Sequence, residues 1–122
     1  MLGYQNEKRI VSDYYKALDA APLSKITRVL QDHTTPQYTW RGFHPFQVQT
    51  DEAQVSEVFW QPFRTAVTHM QRRIDVFFAG KNFIDDSVSV WVCSMGHLMG
   101  LFDASWLGIQ PTGKMVMMRY AE

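Results

Sequence analysis

The sequence has little cysteine and no excess of charge of either sign, and both features exclude classes of protein. Of its 122 residues only Cys93 is a cysteine, so no internal disulfide can form and no cysteine cluster can hold zinc. Basic and acidic residues number 12 each, which gives a formal net charge of zero. We therefore expect no basic surface that attracts nucleic acid and no Lys/Arg patch for a membrane.

Long apolar segments and cofactor motifs are also missing. No run approaches the roughly 20 apolar residues of a membrane span, and residues 1–9 lack the apolar core of a signal peptide. These two absences predict a cytoplasmic protein. No glycine-rich phosphate loop, metal-ligand spacing or Ser-His-Asp arrangement occurs, so we expect neither a cofactor nor a metal.

The composition that is present predicts one globular domain over residues 1–122. The chain is 46% hydrophobic and 20% charged, which are ordinary values for a folded domain. Aromatic residues make up 14% of it. Such large side chains fill cores and also line ligand cavities.

Helical periodicity predicts three helices in the first half. Apolar residues recur at helical spacing over residues 6–20. A short second helix should follow Ser24 as its N-cap, and a third should run over residues 50–67 with Thr50 as its N-cap. Pro62 should kink or end that third helix. The alternating residues 37–41 predict a strand before it, and residues 42–49 a loop.

The second half predicts strands at residues 70–78, 88–100 and 114–120, the first of which could run on to residue 84. Turns are expected at residues 85–87 and 111–113. Helices gathered on one face of an antiparallel sheet give the α+β class.

Three sequence segments resemble one known family. Residues 94–102 (SMGHLMGLF) form a glycine-punctuated strand, residues 110–114 (QPTGK) a hairpin, and residues 38–45 (YTWRGFHP) a first strand with its loop. With the order of elements, they resemble the SnoaL-like polyketide cyclases of the nuclear transport factor 2-like superfamily over nearly the whole chain. The resemblance implies a cone-like curved antiparallel sheet with three helices on one face, and an apolar cavity.

The chain departs from the family at its C-terminus. Family members usually continue for one or two more strands, and the acid/base aspartate of the cyclases lies near the end of that part. That aspartate cannot be carried over to this sequence. The expectation is a truncated domain, in which either a longer chain or another chain supplies the missing strand.

His97 and His44 are candidate catalytic residues, because a histidine titrates near neutral pH and can relay a proton. We predict that His97 faces the cavity and matters more than His44, which lies in the loop after the first strand. The alternatives are a core or outer-face position for His97 and a structural loop role for His44. By alternation His97 shares its face with bulky and polarisable groups, namely Trp91, Cys93, Met95 and Met99.

Arg73 and Asp75 are further catalytic candidates. They share a strand face, where they could hold a carboxylate or an enolate, whereas Arg72 points the other way. A surface ion pair is the alternative. Asp103 is the one acidic residue near the glycine-punctuated strand, although acids in loops are mostly turn residues.

Six residues are candidates for binding a ligand in the cavity. Aromatic residues at helical or strand spacing are, however, more often part of the core. They are Tyr14, Trp40, Phe59, Trp91, Met95 and Met99.

Two functions remain open from the sequence. The first is a cofactor-independent enzyme of cyclase or isomerase type that moves protons on a small carbonyl compound. The second is a non-catalytic module that binds a small apolar molecule or serves oligomerisation. Zero net charge and the missing strand also predict a homodimer through the sheet.

Overall fold

The computed structural model describes residues 3–85 and 89–122, and it confirms the α+β class. Helix α1 (Gln5–Ala20) is followed by a 3-10 turn (Leu23–Lys25) and helix α2 (Ile26–Asp32). The third helical stretch contains α3 (Glu52–Val55), a π-helical segment (Ser56–Trp60) and α4 (Gln61–Ala66). In the described part of the chain no helix is both long enough and apolar enough to cross a membrane.

The helix boundaries differ from the sequence prediction at three points. Ser24 lies inside the 3-10 turn and does not cap α2. Asp51, not Thr50, caps α3, because its carboxylate accepts a hydrogen bond of 2.9 Å from the Ala53 backbone N–H. Of the two effects predicted for Pro62, the end of the helix is contradicted, because the stretch continues to Ala66. A π-helical segment ends at Trp60, two residues before the proline.

Within the described residues, the strands form two antiparallel sheets. Strand β1 (Trp40–Arg41) pairs with β2 (Val48–Gln49), so the predicted strand is shorter than expected and the predicted loop contains its partner. Strands β3 (Val67–Lys81), β4 (Val90–Phe102) and β5 (Met115–Ala121) form an open sheet in the order β3-β4-β5. The predicted turn at 85–87 and the predicted strand start at 88 include positions outside the described residues.

The core lies between the helices and one face of the three-stranded sheet. Helix α1 contacts β3 and β4, and α4 contacts β3. Leu18, Ile26 and Leu30 come from the first two helices, and Phe63 from α4; all four are fully buried. The sheet contributes Val67 and Leu98. We call the sheet face that carries Leu98 the inner face, and the opposite face the outer face.

Candidate functional site

A cavity of about 500 Å³ lies on the inner side of the sheet. The strand β1 and the loop after it contribute to its lining, as do α1, the π-helical segment and the last residues of β5. Its volume is within the usual range of small-molecule sites. The lining residues are Tyr14, Thr34, Tyr38, Thr39, Trp40, Arg41, Gly42, Phe43, Phe59, Trp60, Arg72, Trp91, Leu98, Arg119, Tyr120, Ala121 and Glu122.

One buried ion pair fixes a charged group of this lining. The side chain of Arg72 is only 5% exposed and binds both carboxylate oxygens of Asp19, at 2.9 and 3.1 Å. Its guanidinium carbon lies 3.9 Å from the centre of the Tyr15 ring and 5.0 Å from that of Tyr120. Burial opposes the charge, but the bonds and charge of Asp19 outweigh it and raise the pKa of Arg72.

Hydrogen bonds of two tyrosines connect the end of the chain to helix α1 and join strand β5 to strand β4. Tyr15 donates a hydrogen bond of 2.7 Å to Oε1 of Glu122. The hydroxyl groups of Ser94 and Tyr120 are 2.9 Å apart. Ser94 and Glu122 also exchange two backbone hydrogen bonds of 2.8 Å. These contacts hold the Glu122 carboxylate at the cavity wall.

Tyr14 and Tyr38 present phenol groups that lack a hydrogen-bond partner within residues 3–85 and 89–122. Burial first, and then the negative charge of Glu122, raises the pKa of each phenol. Both groups therefore stay protonated at neutral pH. A protonated phenol can donate its hydrogen to an oxygen acceptor on a ligand.

Aromatic rings form the apolar wall of the cavity. Phe59 is at its centre and lies against Trp60, with the ring centres 4.8 Å apart. Trp40 lies 5.6 Å from Phe59, and Phe43 6.3 Å from it. Flat rings in contact favour flat ligands that can stack on them or meet their edges.

The structure places some predicted ligand-binding residues in the lining and excludes others. Tyr14, Trp40 and Phe59 line the cavity, as does Trp91, which is 59% exposed. The sequence predicted that the odd-numbered residues of β4 face the cavity. This prediction is wrong for its three central residues. Met95, His97 and Met99 are not in the cavity lining.

Met95, His97 and Met99 face away from the cavity because the small residues of β4 are packed on the inner face. Ser94, Gly96, Leu98, Gly100 and Phe102 are the buried residues of β4, so the even positions face the helices. A Cβ atom on Gly96 would clash with the backbone carbonyl of Arg73 and touch the Tyr120 ring. The small residues of β4 therefore let the backbone of β3 and the Tyr120 ring come close to the inner face.

His97 instead joins Arg73 and Asp75 on the outer face. Nε of Arg73 is 3.0 Å from Oδ1 of Asp75, which forms the predicted pair. Nδ1 of His97 is 3.0 Å from Oδ2 of Asp75 and 3.1 Å from Nη2 of Arg73. Partial burial opposes the carboxylate charge, but Arg73 and then His97 lower the pKa of Asp75. None of the three lines the cavity.

The other two polar candidates also lie outside the cavity lining. His44 is exposed in the loop between β1 and β2. Asp103 accepts a hydrogen bond of 2.5 Å from the Thr68 hydroxyl, at the start of β3. Asp103 is therefore held by a neighbouring side chain at the start of β3. The sequence had indicated a solvated turn residue at this position.

The polar residues of the cavity were mostly missed. Strand alternation correctly predicted that Arg72 and Arg73 lie on opposite faces of β3. A charged residue at a core-facing strand position indicates that it has a buried partner. That signal did not lead to Asp19, which is 53 positions away in the sequence. Tyr38 and Glu122 carried no signal of their own.

Comparison with known proteins finds no match: no family model, no curated protein and no solved structure is similar to this chain. In residues 3–85 and 89–122, no three His, Cys, Asp or Glu side chains come together to hold a metal ion.

Proposed function

We propose that this chain is a SnoaL-like domain whose cavity binds a small, flat molecule with an oxygen acceptor such as a carbonyl. One observation carries the proposal. A cavity of about 500 Å³ has aromatic walls and two protonated phenols, Tyr14 and Tyr38, without partners in the described part of the chain. A ligand carbonyl that accepts from these phenols would satisfy donors that are otherwise left to water.

Binding is favoured over catalysis because the predicted catalytic groups are elsewhere. Arg73, Asp75 and His97 bind one another on the outer face, and His44 is exposed. A general acid or base must come within hydrogen-bond distance of the proton that it moves. A ligand in the cavity is out of reach of these four side chains, since none of them lines it.

Binding can be tested with prodan, a neutral naphthalene ketone whose fluorescence responds to polarity and hydrogen bonding. We expect prodan to bind with one site per chain. Thr39→Trp should weaken binding by about tenfold or more, because an indole at this exposed lining position fills the cavity. Thr65→Trp is the matched control, since Thr65 is also exposed but lies outside the lining. Equal binding by both variants would contradict the proposal.

Glu122 supports a second candidate, proton transfer next to a carbonyl. It is the only carboxylate among the lining residues that the structure describes, and it is close enough to Tyr14 and Tyr38 to raise the pKa of both phenols. A carboxylate can remove such a proton while phenols stabilise the enolate oxygen. In D2O, Glu122 would remove a proton next to the prodan carbonyl, exchange it with the solvent and return a deuteron to the enolate carbon. Glu122→Gln would abolish this exchange without abolishing binding.

The outer face supports the proposal of a homodimer through the sheet. Cross-strand pairing places Met99 beside Met117 and Leu101 beside Met115 on this face. Met115 is 67% exposed and Met117 50%. Val76 and Phe78, which pair with Met95 and Cys93, extend the apolar surface. Exposed apolar patches of this kind mark contacts between proteins, and zero net charge lowers the repulsion between two copies.

Sedimentation can test the homodimer. We expect the chain to sediment as a dimer, and the double variant Met115→Glu/Met117→Glu to sediment as a monomer, because four carboxylates would be brought to one interface. Ile10→Glu is the control, since Ile10 is equally apolar and exposed but lies on α1. A monomer at high concentration for the unaltered chain would contradict the proposal.

A further inference from the structure

Two of the three arginines in the lining direct their charge away from the cavity. Arg119 pairs across the strands with His97, so its side chain belongs to the outer face. Arg41 follows Trp40 in β1, and because the Trp40 side chain packs against the core, alternation directs that of Arg41 to the opposite side. Neither guanidinium group therefore faces a ligand in the cavity.

The remaining charges of the lining leave one carboxylate unbalanced. Arg72 is neutralised by Asp19 through two hydrogen bonds. Oε1 of Glu122 accepts the Tyr15 hydroxyl hydrogen, and backbone pairing with Ser94 holds the residue in place. In the described part of the chain, Glu122 has no ion pair and its Oε2 has no hydrogen-bond partner. One carboxylate oxygen is therefore left to accept hydrogen bonds from a ligand.

A second carboxylate adds negative charge at the same end of the cavity. Glu52 accepts a hydrogen bond of 2.6 Å from the hydroxyl group of Thr34, which lines the cavity, and this bond lowers the pKa of Glu52. No ion pair links Glu52 to a cation among the described residues. Burial raises the pKa of the Tyr38 phenol, and the charges of Glu122 and then Glu52 raise it further. Both carboxylates therefore lie near Tyr38, and this end of the cavity is negative.

The aromatic wall can hold a cation as well as a neutral ring. A cation over the face of an aromatic ring is attracted by the ring electrons, most strongly by those of an indole. The structure already contains one such contact, in which the Arg72 guanidinium carbon lies 3.9 Å from the centre of the Tyr15 ring. Trp40 and Phe59 offer further rings in the lining. An ammonium group is therefore attracted both by this wall and by the carboxylates, whereas an anionic ligand group is repelled by them.

We propose that the ligand of this cavity is a flat aromatic compound that carries an alkylammonium group. Its ring lies against the aromatic wall, its oxygen acceptor binds Tyr14 or Tyr38, and its ammonium group binds Oε2 of Glu122. This inference rests on the proposed binding function, and it adds the charge and chemical class of the ligand. The alternative is that water alone solvates the free oxygen of Glu122, in which case a ligand cation gains nothing from it.

The test compares two naphthalene ketones of nearly the same shape, 2-acetyl-6-(aminomethyl)naphthalene and 2-acetyl-6-(hydroxymethyl)naphthalene. The amine is positively charged at neutral pH, and the alcohol is neutral. Titrations of the full chain are followed by NMR at low salt. We expect the amine to bind roughly fivefold to tenfold more tightly, and this preference to shrink in about 0.5 M salt, where charges are strongly screened. A preference of the same size at both salt concentrations would contradict the ion pair.

Two variants test whether the preference comes from Glu122. Glu122→Gln keeps an oxygen that accepts from Tyr15 but removes the charge, so the preference for the amine should fall to about twofold or less. Glu57→Gln removes the same charge at an exposed position outside the lining, and it should keep the full preference. Binding of the alcohol reports whether the cavity of each variant is intact, and the salt test on the unaltered chain does not depend on the variants.

The outcomes separate this inference from the proposed binding function. Equal binding of both ligands by the unaltered chain, or equal loss of the preference in the two variants, would overturn the inference and leave the binding function intact. Failure of both ligands to bind the unaltered chain would overturn the inference and the binding function together.

Discussion

Replacing Asp19 with alanine is expected to lower the free energy of unfolding by about 3–5 kcal/mol. The reason is the position of Arg72, whose side chain is 5% exposed and has both carboxylate oxygens of Asp19 as partners. Without Asp19 a buried cation is left beside two aromatic rings, and neither ring can replace two charge-assisted hydrogen bonds. Urea denaturation followed by circular dichroism measures the change.

Two further variants separate the ion pair from a general effect of helix substitution. Asp13→Ala changes an exposed aspartate of the same helix and should have an effect below about 0.5 kcal/mol. Arg72→Met in the Asp19→Ala background should recover part of the lost stability, since it removes the unpaired charge. If Asp19→Ala were no more harmful than Asp13→Ala, the pair would not be buried in solution.

Phe59→Ala is the second change with a large expected effect, about 3–5 kcal/mol of unfolding free energy. Phe59 is 6% exposed, and truncation leaves a void that rigid rings cannot close. Six rings have their centres within 6.3 Å of the Phe59 ring centre: Trp40, Phe43, Phe46, Trp60, Phe63 and Trp106. Denaturant unfolding of the variant gives the value.

Phe83→Ala provides the control, because Phe83 is 90% exposed and its removal should leave stability unchanged. Phe59 also lines the cavity, so the same substitution should weaken prodan binding. A Phe59→Ala protein with unaltered stability and unaltered affinity would show that the aromatic cluster is not packed as described.

The fold class could be predicted from the sequence because it depends on local periodicity. The helical spacing over residues 6–20 predicted α1, observed as Gln5–Ala20, and the β-rich second half predicted β3, β4 and β5. Capping was harder to predict, since Thr50 and Asp51 are both good N-cap residues and only the three-dimensional structure selects Asp51.

The face of β4 could not be decided from alternation alone. Alternation separates two sets of residues but does not tell which set faces the helices. The bulky groups around His97 were assigned to the cavity, whereas the small residues Ser94 and Gly96 are the ones packed inside. Their role depends on contacts with β3 and Tyr120, which alternation along one strand does not report.

The polar part of the cavity depends on residues far apart in the chain. Tyr15 and Glu122, which are hydrogen bonded, are separated by 107 positions. Neither residue stands in a recognisable motif. Single-sequence reasoning could identify the aromatic residues, because their size alone makes them candidates, but it could not bring these donors and acceptors together.

Ligands are expected to bind in the cavity and not on the outer face. NMR of the chain with labelled methyl groups, titrated with prodan, distinguishes the two directly. We predict shifts at Leu98, a buried inner-face residue that lines the cavity, and none at Met115 and Met117, which are exposed on the outer face of β5. Shifts at the two methionines without a shift at Leu98 would contradict binding in the cavity.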